Sequence, residues 1–135
     1  MKKNILVTGG AGYVGSHASK VLYKAGYNPI TVDSLSTGWS ESVKFGPFEK
    51  VDLLDLEKLN EVFLKHKPSS IMHFAALSQV EESIIEPEKY WRNNLTGSLN
   101  LLETAVNHKC LDFVFSSTCA IYGDQDSVIV NENTP

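Results

Sequence analysis

A chain of 135 residues has the length of one domain, and a domain of that size buries roughly two thirds of the surface its unfolded form exposes; with 42% hydrophobic and 21% charged residues the composition excludes a disordered chain. The formal net charge of -4 and the scattered lysines give no basic stripe to neutralise a phosphate backbone, so no nucleic-acid partner is expected. No apolar run approaches the roughly 18 residues of a membrane span, MKKNILVTGG is not a secretion signal, and Cys110 and Cys119 lack the number and spacing of a disulfide framework or zinc site, so no membrane partner and no metal is expected, and a reducing cytoplasm is the expected setting.

Asn4 to Thr8 is a short β-branched and apolar run ending in glycines, which predicts a buried strand entering a turn. From Gly12 onward Val14, Ala18, Val21, Leu22 and Ala25 recur at helical spacing, until Gly26 and Pro29 stop the pattern. A second strand runs from Pro29 to Val32 and closes at Asp33, and the polar stretch from Ser34 to Ser42 reads as a loop. Phe48 to Val51 predicts a third strand, after which Asp55 can cap a helix carrying Leu56, Leu59, Val62 and Phe63 on one face, ended by Pro68. Ser70 to Ala75 predicts a fourth strand, apolar apart from His73, as expected when helices cover both faces of a parallel sheet.

Pro87 stands where a helix can begin, and Trp91, Leu95, Leu99, Leu102 and Ala105 predict a long helix over 90–106 with its Trp91-to-Leu102 stripe in the core. Leu111 to Phe115 predicts a fifth strand with Ser116, Ser117 and Thr118 at its carboxyl end, and the pattern weakens after Gly123. Right-handed crossovers then give an α/β fold, a doubly wound parallel sheet of order 3-2-1-4-5 with a crevice outside the carboxyl ends of strands 1 and 4.

The chemistry-bearing residues fall at those strand ends. Gly9, Gly12 and Gly15 recur at three-residue intervals directly after a strand and before a helix, the arrangement that lets a tight turn bring backbone N–H groups and a helix N-terminus against a diphosphate. A turn without a ligand is the bland alternative. Asp33, about twenty residues on, can accept both hydroxyls of an adenosine ribose and would repel a 2′-phosphate, which favours NAD over NADP; otherwise it caps a strand. Asp52 can accept from an adenine amino group or cap a helix. His17 and His73 read as packing or hydrogen-bonding residues, and nothing in the pattern depresses the Cys119 pKa.

TGGAGYVGSH, Asp33 and the Val51-Asp52-Leu53 step resemble the Rossmann domain of the extended short-chain dehydrogenase/reductase family. His73-Phe74-Ala75-Ala76-Leu77, Val80-Glu81-Glu82-Ser83 with Pro87, Tyr90 and Asn93-Asn94, and the run from Phe115 to Gly123 narrow the resemblance to its UDP-glucose 4-epimerase branch, from Met1 to the end. The resemblance implies an NAD-dependent isomerase of galactose and nucleotide-sugar metabolism: a hydride leaves C4 of a UDP-sugar, the 4-keto intermediate turns over, and the hydride returns to the other face. It implies that Tyr13 and Val14 meet the pyrophosphate, and that Asp33, Ser34, Leu35, Ser36, Thr37 and Gly38 surround the adenosine ribose. It places Asp52 and Leu53 at adenine, and Phe74, Ala75, Ala76, Leu77, Ser78 and Asn93 along the rest of the groove. Thr118 matches the hydroxyl that bonds the substrate's reacting oxygen and assists a catalytic tyrosine, although a Ser-Ser-Thr run also serves as ordinary loop capping.

That tyrosine belongs to a Tyr-x-x-x-Lys motif, and none of Tyr13, Tyr23, Tyr27, Tyr90 and Tyr122 has lysine four residues later. The expectation is an incomplete N-terminal NAD-binding domain over 1–135, without the C-terminal substrate domain and without turnover. The resemblance also implies a homodimer that uses the long helix, and a fifth strand left at a sheet edge predicts self-association. Sugar-nucleotide 4,6-dehydratases are the near alternative, but they carry an acidic pair where this chain has Cys119 and Ala120. Other nucleotide-sugar epimerases and a noncatalytic NAD-binding module remain open.

Overall fold

The computed structural model describes residues 2–123 and 129–134. Five parallel strands form one sheet: β1 Asn4–Thr8, β2 Asn28–Asp33, β3 Phe48–Lys50, β4 Ser70–His73 and β5 Asp112–Phe115, in the order β3-β2-β1-β4-β5. The central register pairs Leu6 with Ile30 on one side and with Ile71 on the other. Helix α1 (Tyr13–Lys24) links β1 to β2, α2 (Leu56–His66) links β3 to β4, and the connection from β4 to β5 holds α3 (Val80–Ile85), α4 (Pro87–Tyr90), a π-helical segment (Trp91–Thr96) and α5 (Gly97–Asn107). Among the described residues no helix is long and apolar enough to cross a membrane.

One apolar cluster joins the sheet to α2 and α5. Leu6, Ile30, Val32 and Ile71 meet Leu59, Val62 and Phe63 of α2 and Leu101 and Ala105 of α5. Asp55 caps α2 as its sequence position predicts, Oδ1 accepting from Lys58 N at 3.1 Å, and Lys67 closes it in the left-handed region.

Two helices present a different face from the predicted one. On α1 the sheet side is Gly15 and Ser19, with Ala18 and Leu22 half-buried, while Val14, Val21 and Ala25 face outward. The rotation is set at the first turn, where Gly15 must lie on Gly9, and not by hydrophobicity along the helix. On α5 the buried residues are Gly97, Leu101, Thr104 and Ala105, whereas Trp91, at 67% exposed, and Leu95, Leu99 and Leu102 lie on the surface. The π-helical segment has a wider turn than an α-helix, so a count at 3.6 residues per turn carried through it loses phase. The sequence pattern does not predict α3, and β4 ends at His73, two residues before the predicted Ala75. β5 is an edge strand, with Val114 and Phe115 exposed.

His73, 2% exposed, is the most deeply placed titratable side chain at the carboxyl edge of the sheet. The Phe113 and Phe115 rings of β5 flank it, and it bonds Thr8 of β1 and Ser98 of α5. Burial pushes its pKa down to about 4. The unfolded chain binds this proton more readily, so the stability tied to neutral His73 is complete above about pH 6.5 and declines as pH falls toward 4, by a total on the order of 3 kcal/mol. Urea unfolding between pH 7 and pH 4 should show that decline, and His73→Leu should flatten it.

Candidate functional site

The carboxyl ends of β1, β2 and β4 and the segment following β3 open into one cleft of about 240 Å³. Its floor is the turn from β1 to α1. Gly9 has φ +69°, and a Cβ there would lie 2.6 Å from Ala75 N; a Cβ on Gly15 would lie 2.2 Å from Gly9 O. These two glycines are demanded by backbone on backbone. Gly12 is different: a Cβ would meet only Gly9 O, at 3.2 Å, so the space above it belongs to the cleft.

Gly12 precedes α1 in extended conformation, with no side chain capping the helix and no acid in the first turn. Ser16 N is bonded back to Gly12 O at 3.0 Å, and helix geometry leaves the N–H groups of Tyr13, Val14 and Gly15 without an intrahelical acceptor. Tyr13 is 83% exposed, its ring 4.7 Å from that of His17. The cleft therefore has a positive end built from backbone, suited to an anionic group.

Asp33 stands beside it. Oδ2 accepts from Ala11 N at 3.0 Å and Oδ1 from Leu35 N at 2.8 Å, so the carboxylate is held by the glycine turn on one side and by its own loop on the other. Gly38 closes against it, its absent Cβ being 3.0 Å from Oδ1. A carboxylate fixed this way keeps further lone pairs for two hydroxyls and cannot swing aside for a phosphate. Asp52 uses Oδ1 for Leu54 N at 2.9 Å, a turn bond, while the helix cap is Asp55.

The opposite wall runs from Phe74 to Ser78. Asn94 clamps it, Nδ2 donating to Leu77 O at 2.9 Å and Oδ1 accepting from Leu77 N at 2.8 Å, and Asn93 donates to the same Asn94 oxygen. Tyr90 Oη accepts from Gln79 N at 3.1 Å and has Glu82 Oε2, at 2.7 Å, and Gln79 O, at 2.8 Å, as alternative acceptors for its one hydrogen, tying α4 to α3; burial, followed by the Glu82 carboxylate, holds the Tyr90 phenol above its ordinary range.

Of the residues singled out in sequence, Gly9, Gly12, Tyr13, Val14, Gly15, Asp33, Ser34, Ser36, Thr37 and Gly38 line this cleft, as do Asp52, Leu53, Phe74, Ala75, Ala76, Leu77, Ser78 and Asn93. Leu35 does not: it sits at φ 62° and contributes only its N–H to Asp33. Thr118 also lies outside it, exposed past β5, with Oγ1 accepting from Ala120 N at 3.2 Å as the cap of a short 3-10 turn, Cys119–Tyr122. Val32 and Val51 line the cleft and were missed, although their places beside Asp33 and Asp52 at strand ends were the available signal. A second cavity of about 740 Å³ shares Ser34, Ser36, Asp52, Leu77 and Asn93 and extends the cleft toward Pro87 and Arg92. Among the described residues no three His, Cys, Asp or Glu side chains gather as metal ligands.

The model of the NAD dependent epimerase/dehydratase family matches residues 5–135. A UDP-glucose 4-epimerase of Rhizobium meliloti (strain 1021) is 49% identical over 130 residues, covering 96% of this chain and 40% of that protein. The crystal structure of a UDP-glucose 4-epimerase from Brucella ovis in complex with NAD superposes with a TM-score of 0.88 at 42% identity, over 96% of this chain and 40% of that one. The UDP-glucose 4-epimerase of Thermus thermophilus, complexed with NAD, gives a TM-score of 0.89 at 38% identity, over 98% of this chain and 43% of that one. The chain thus spans about 40% of the length of these relatives.

The glycine geometry separates packing from ligand space. Gly15→Ala should cost several kcal/mol in urea unfolding, because backbone cannot yield to a methyl at 2.2 Å, whereas Gly12→Ala should cost about 1 kcal/mol or less. Equal losses would contradict that division.

Proposed function

The chain belongs to the NAD dependent epimerase/dehydratase family, and we propose that it is the NAD-binding part of a UDP-glucose 4-epimerase interconverting UDP-glucose and UDP-galactose. The observation that carries the reading is the pairing, in one cleft, of an uncapped helix start over Gly12 with the doubly anchored Asp33 carboxylate. The first suits a diphosphate and the second a ribose diol, and the room left by the missing Gly12 side chain fits the approach of a phosphate. Bound NAD supplies hydride acceptance from C4 of the sugar and return to the opposite face, so that no external redox partner is consumed.

The chain's own residues do the holding. The amides of Tyr13 and Val14 receive the diphosphate, Asp33 with Ser34, Ser36, Thr37 and Gly38 surrounds the ribose, and Asp52 and Leu53 meet adenine. The wall from Phe74 to Ser78, with Asn93, excludes water from the remainder. Thr118 donates its hydroxyl hydrogen to the sugar's reacting oxygen, a hydrogen that its acceptance from Ala120 N leaves free. The proton-transferring tyrosine and its lysine are not among these 135 residues, and the share of the relatives' length that is matched supports a substrate domain following this NAD-binding one. The exposed Trp91, Leu95, Leu99 and Leu102 stripe supports a homodimer, and the free Cys110 and Cys119 support a cytoplasmic setting.

Three measurements test this. NAD at a hundredfold excess over its dissociation constant should stabilise the protein by about 2.7 kcal/mol, with a far smaller effect from NADP. Asp33→Ala should weaken NAD roughly ten- to hundredfold through loss of charged hydrogen bonds. No thermal shift with NAD would overturn the cofactor reading. In a coupled UDP-galactose assay, the polypeptide of residues 1–135 should show no turnover, and measurable epimerisation by it would contradict the assignment of the base to residues outside it.

A further inference from the structure

We propose that His73 is a positioning residue for the cleft: as a neutral imidazole protonated on Nε2, it carries one oriented run of hydrogen bonds from Thr8, at the glycine turn, to the Asn94 carbonyl, and thereby holds Asn93 and the 75–78 wall over the turn. The inference rests on the cleft being the NAD site.

The proton order follows from the contacts. Ser98 Oγ lies 2.6 Å from Asn94 O, and since a carbonyl has no hydrogen to give, the single Ser98 hydroxyl hydrogen points there. Toward His73, 2.8 Å away, Ser98 Oγ can only accept, so Nε2 carries the ring hydrogen. A neutral ring then has a bare Nδ1, and Thr8 Oγ1, 2.6 Å from it, is the donor. The ring stays neutral at pH 7 because it is buried, with the Phe113 and Phe115 rings nearby on β5. Every bond points the same way, an arrangement in which each polarises the next.

What the run connects gives it its role. Thr8 ends β1 one residue before Gly9. Asn94 lies in the π-helical segment, and a serine bonding back to the carbonyl four residues earlier tends to bend a helix, here at the junction of that segment with α5. Asn94 clamps Leu77 through both backbone groups and accepts from Asn93, which lines the cleft. His73 is therefore the strut between the two walls that a dinucleotide would have to span.

The test uses the intact protein. Imidazole 15N NMR at pH 7 should show His73 Nε2 protonated and Nδ1 bare. Ser98→Ala should weaken NAD roughly three- to tenfold and move the backbone signals of Asn93 and Asn94. Combined with His73→Leu, it should add little to the effect of His73→Leu alone, because both remove one run of bonds. A proton on Nδ1, or wild-type NAD affinity in Ser98→Ala, overturns the inference while leaving the cofactor reading intact. Absence of NAD binding by the wild-type protein overturns both. The NMR measurement on unaltered protein decides the matter even where a variant does not fold.

Discussion

The arrangement depends on one close approach, that of the Gly15 Cα to the carbonyl of Gly9. A helix can leave β1 at this angle only if neither residue carries a side chain, since a methyl on Gly15 would overlap the Gly9 oxygen and one on Gly9 would overlap the start of the wall after β4. The contact fixes the rotation of α1 about its axis. It also fixes the direction of the helix's free N–H groups and the distance between the glycine turn and Ala75. The cleft is the space those constraints leave.

Polar side chains then lock the surrounding strands to that turn. Asp33 joins the end of β2 to Ala11, and His73 joins the end of β4 to Thr8, so the two neighbours of β1 are each tied to it by a side chain at the carboxyl edge. Ligands of doubly wound sheets collect where the strand order reverses, here between β1 and β4. In this molecule the uncapped start of α1 opens onto that reversal, with the Asp33 carboxylate beside it at the end of β2. Away from the cleft, Glu49 forms an ion pair with Lys65 and a hydrogen bond with His66, which hold β3 to the last turn of α2.

Strand positions and order were legible because the central strands, β1 and β2 above all, are buried and write themselves as short apolar runs, and because crossover handedness leaves few topologies. The glycine turn and Asp33 were legible because their spacing reflects a geometry that few other residues satisfy. Helix faces were less so. Val14 and Val21 look like core, yet Gly15 sets the rotation; Leu95 and Leu99 look like core, yet the π-helical segment resets the phase and Gly97 brings α5 onto Leu53. Leu35 is absent from the cleft lining, and its observed contribution is a backbone N–H to Asp33, which leaves no trace in side-chain chemistry. Thr118 stands at the expected strand end, but whether such a hydroxyl faces a cleft depends on a turn that spacing does not encode.

The sheet's connectivity has a consequence for how the molecule assembles. β1 meets β2 at residues 24 apart in the chain and meets β4 at residues 65 apart. Closing the longer loop costs about 0.9 kcal/mol more in chain entropy, and its reward arrives only when α5 docks as well. The order of closure therefore favours a nascent unit of β1, α1 and β2, in which the glycine turn and the uncapped start of α1 exist before the wall that will face them. A ligand of the cleft present during synthesis would meet a half-built groove first, to be enclosed by the later arrival of β4.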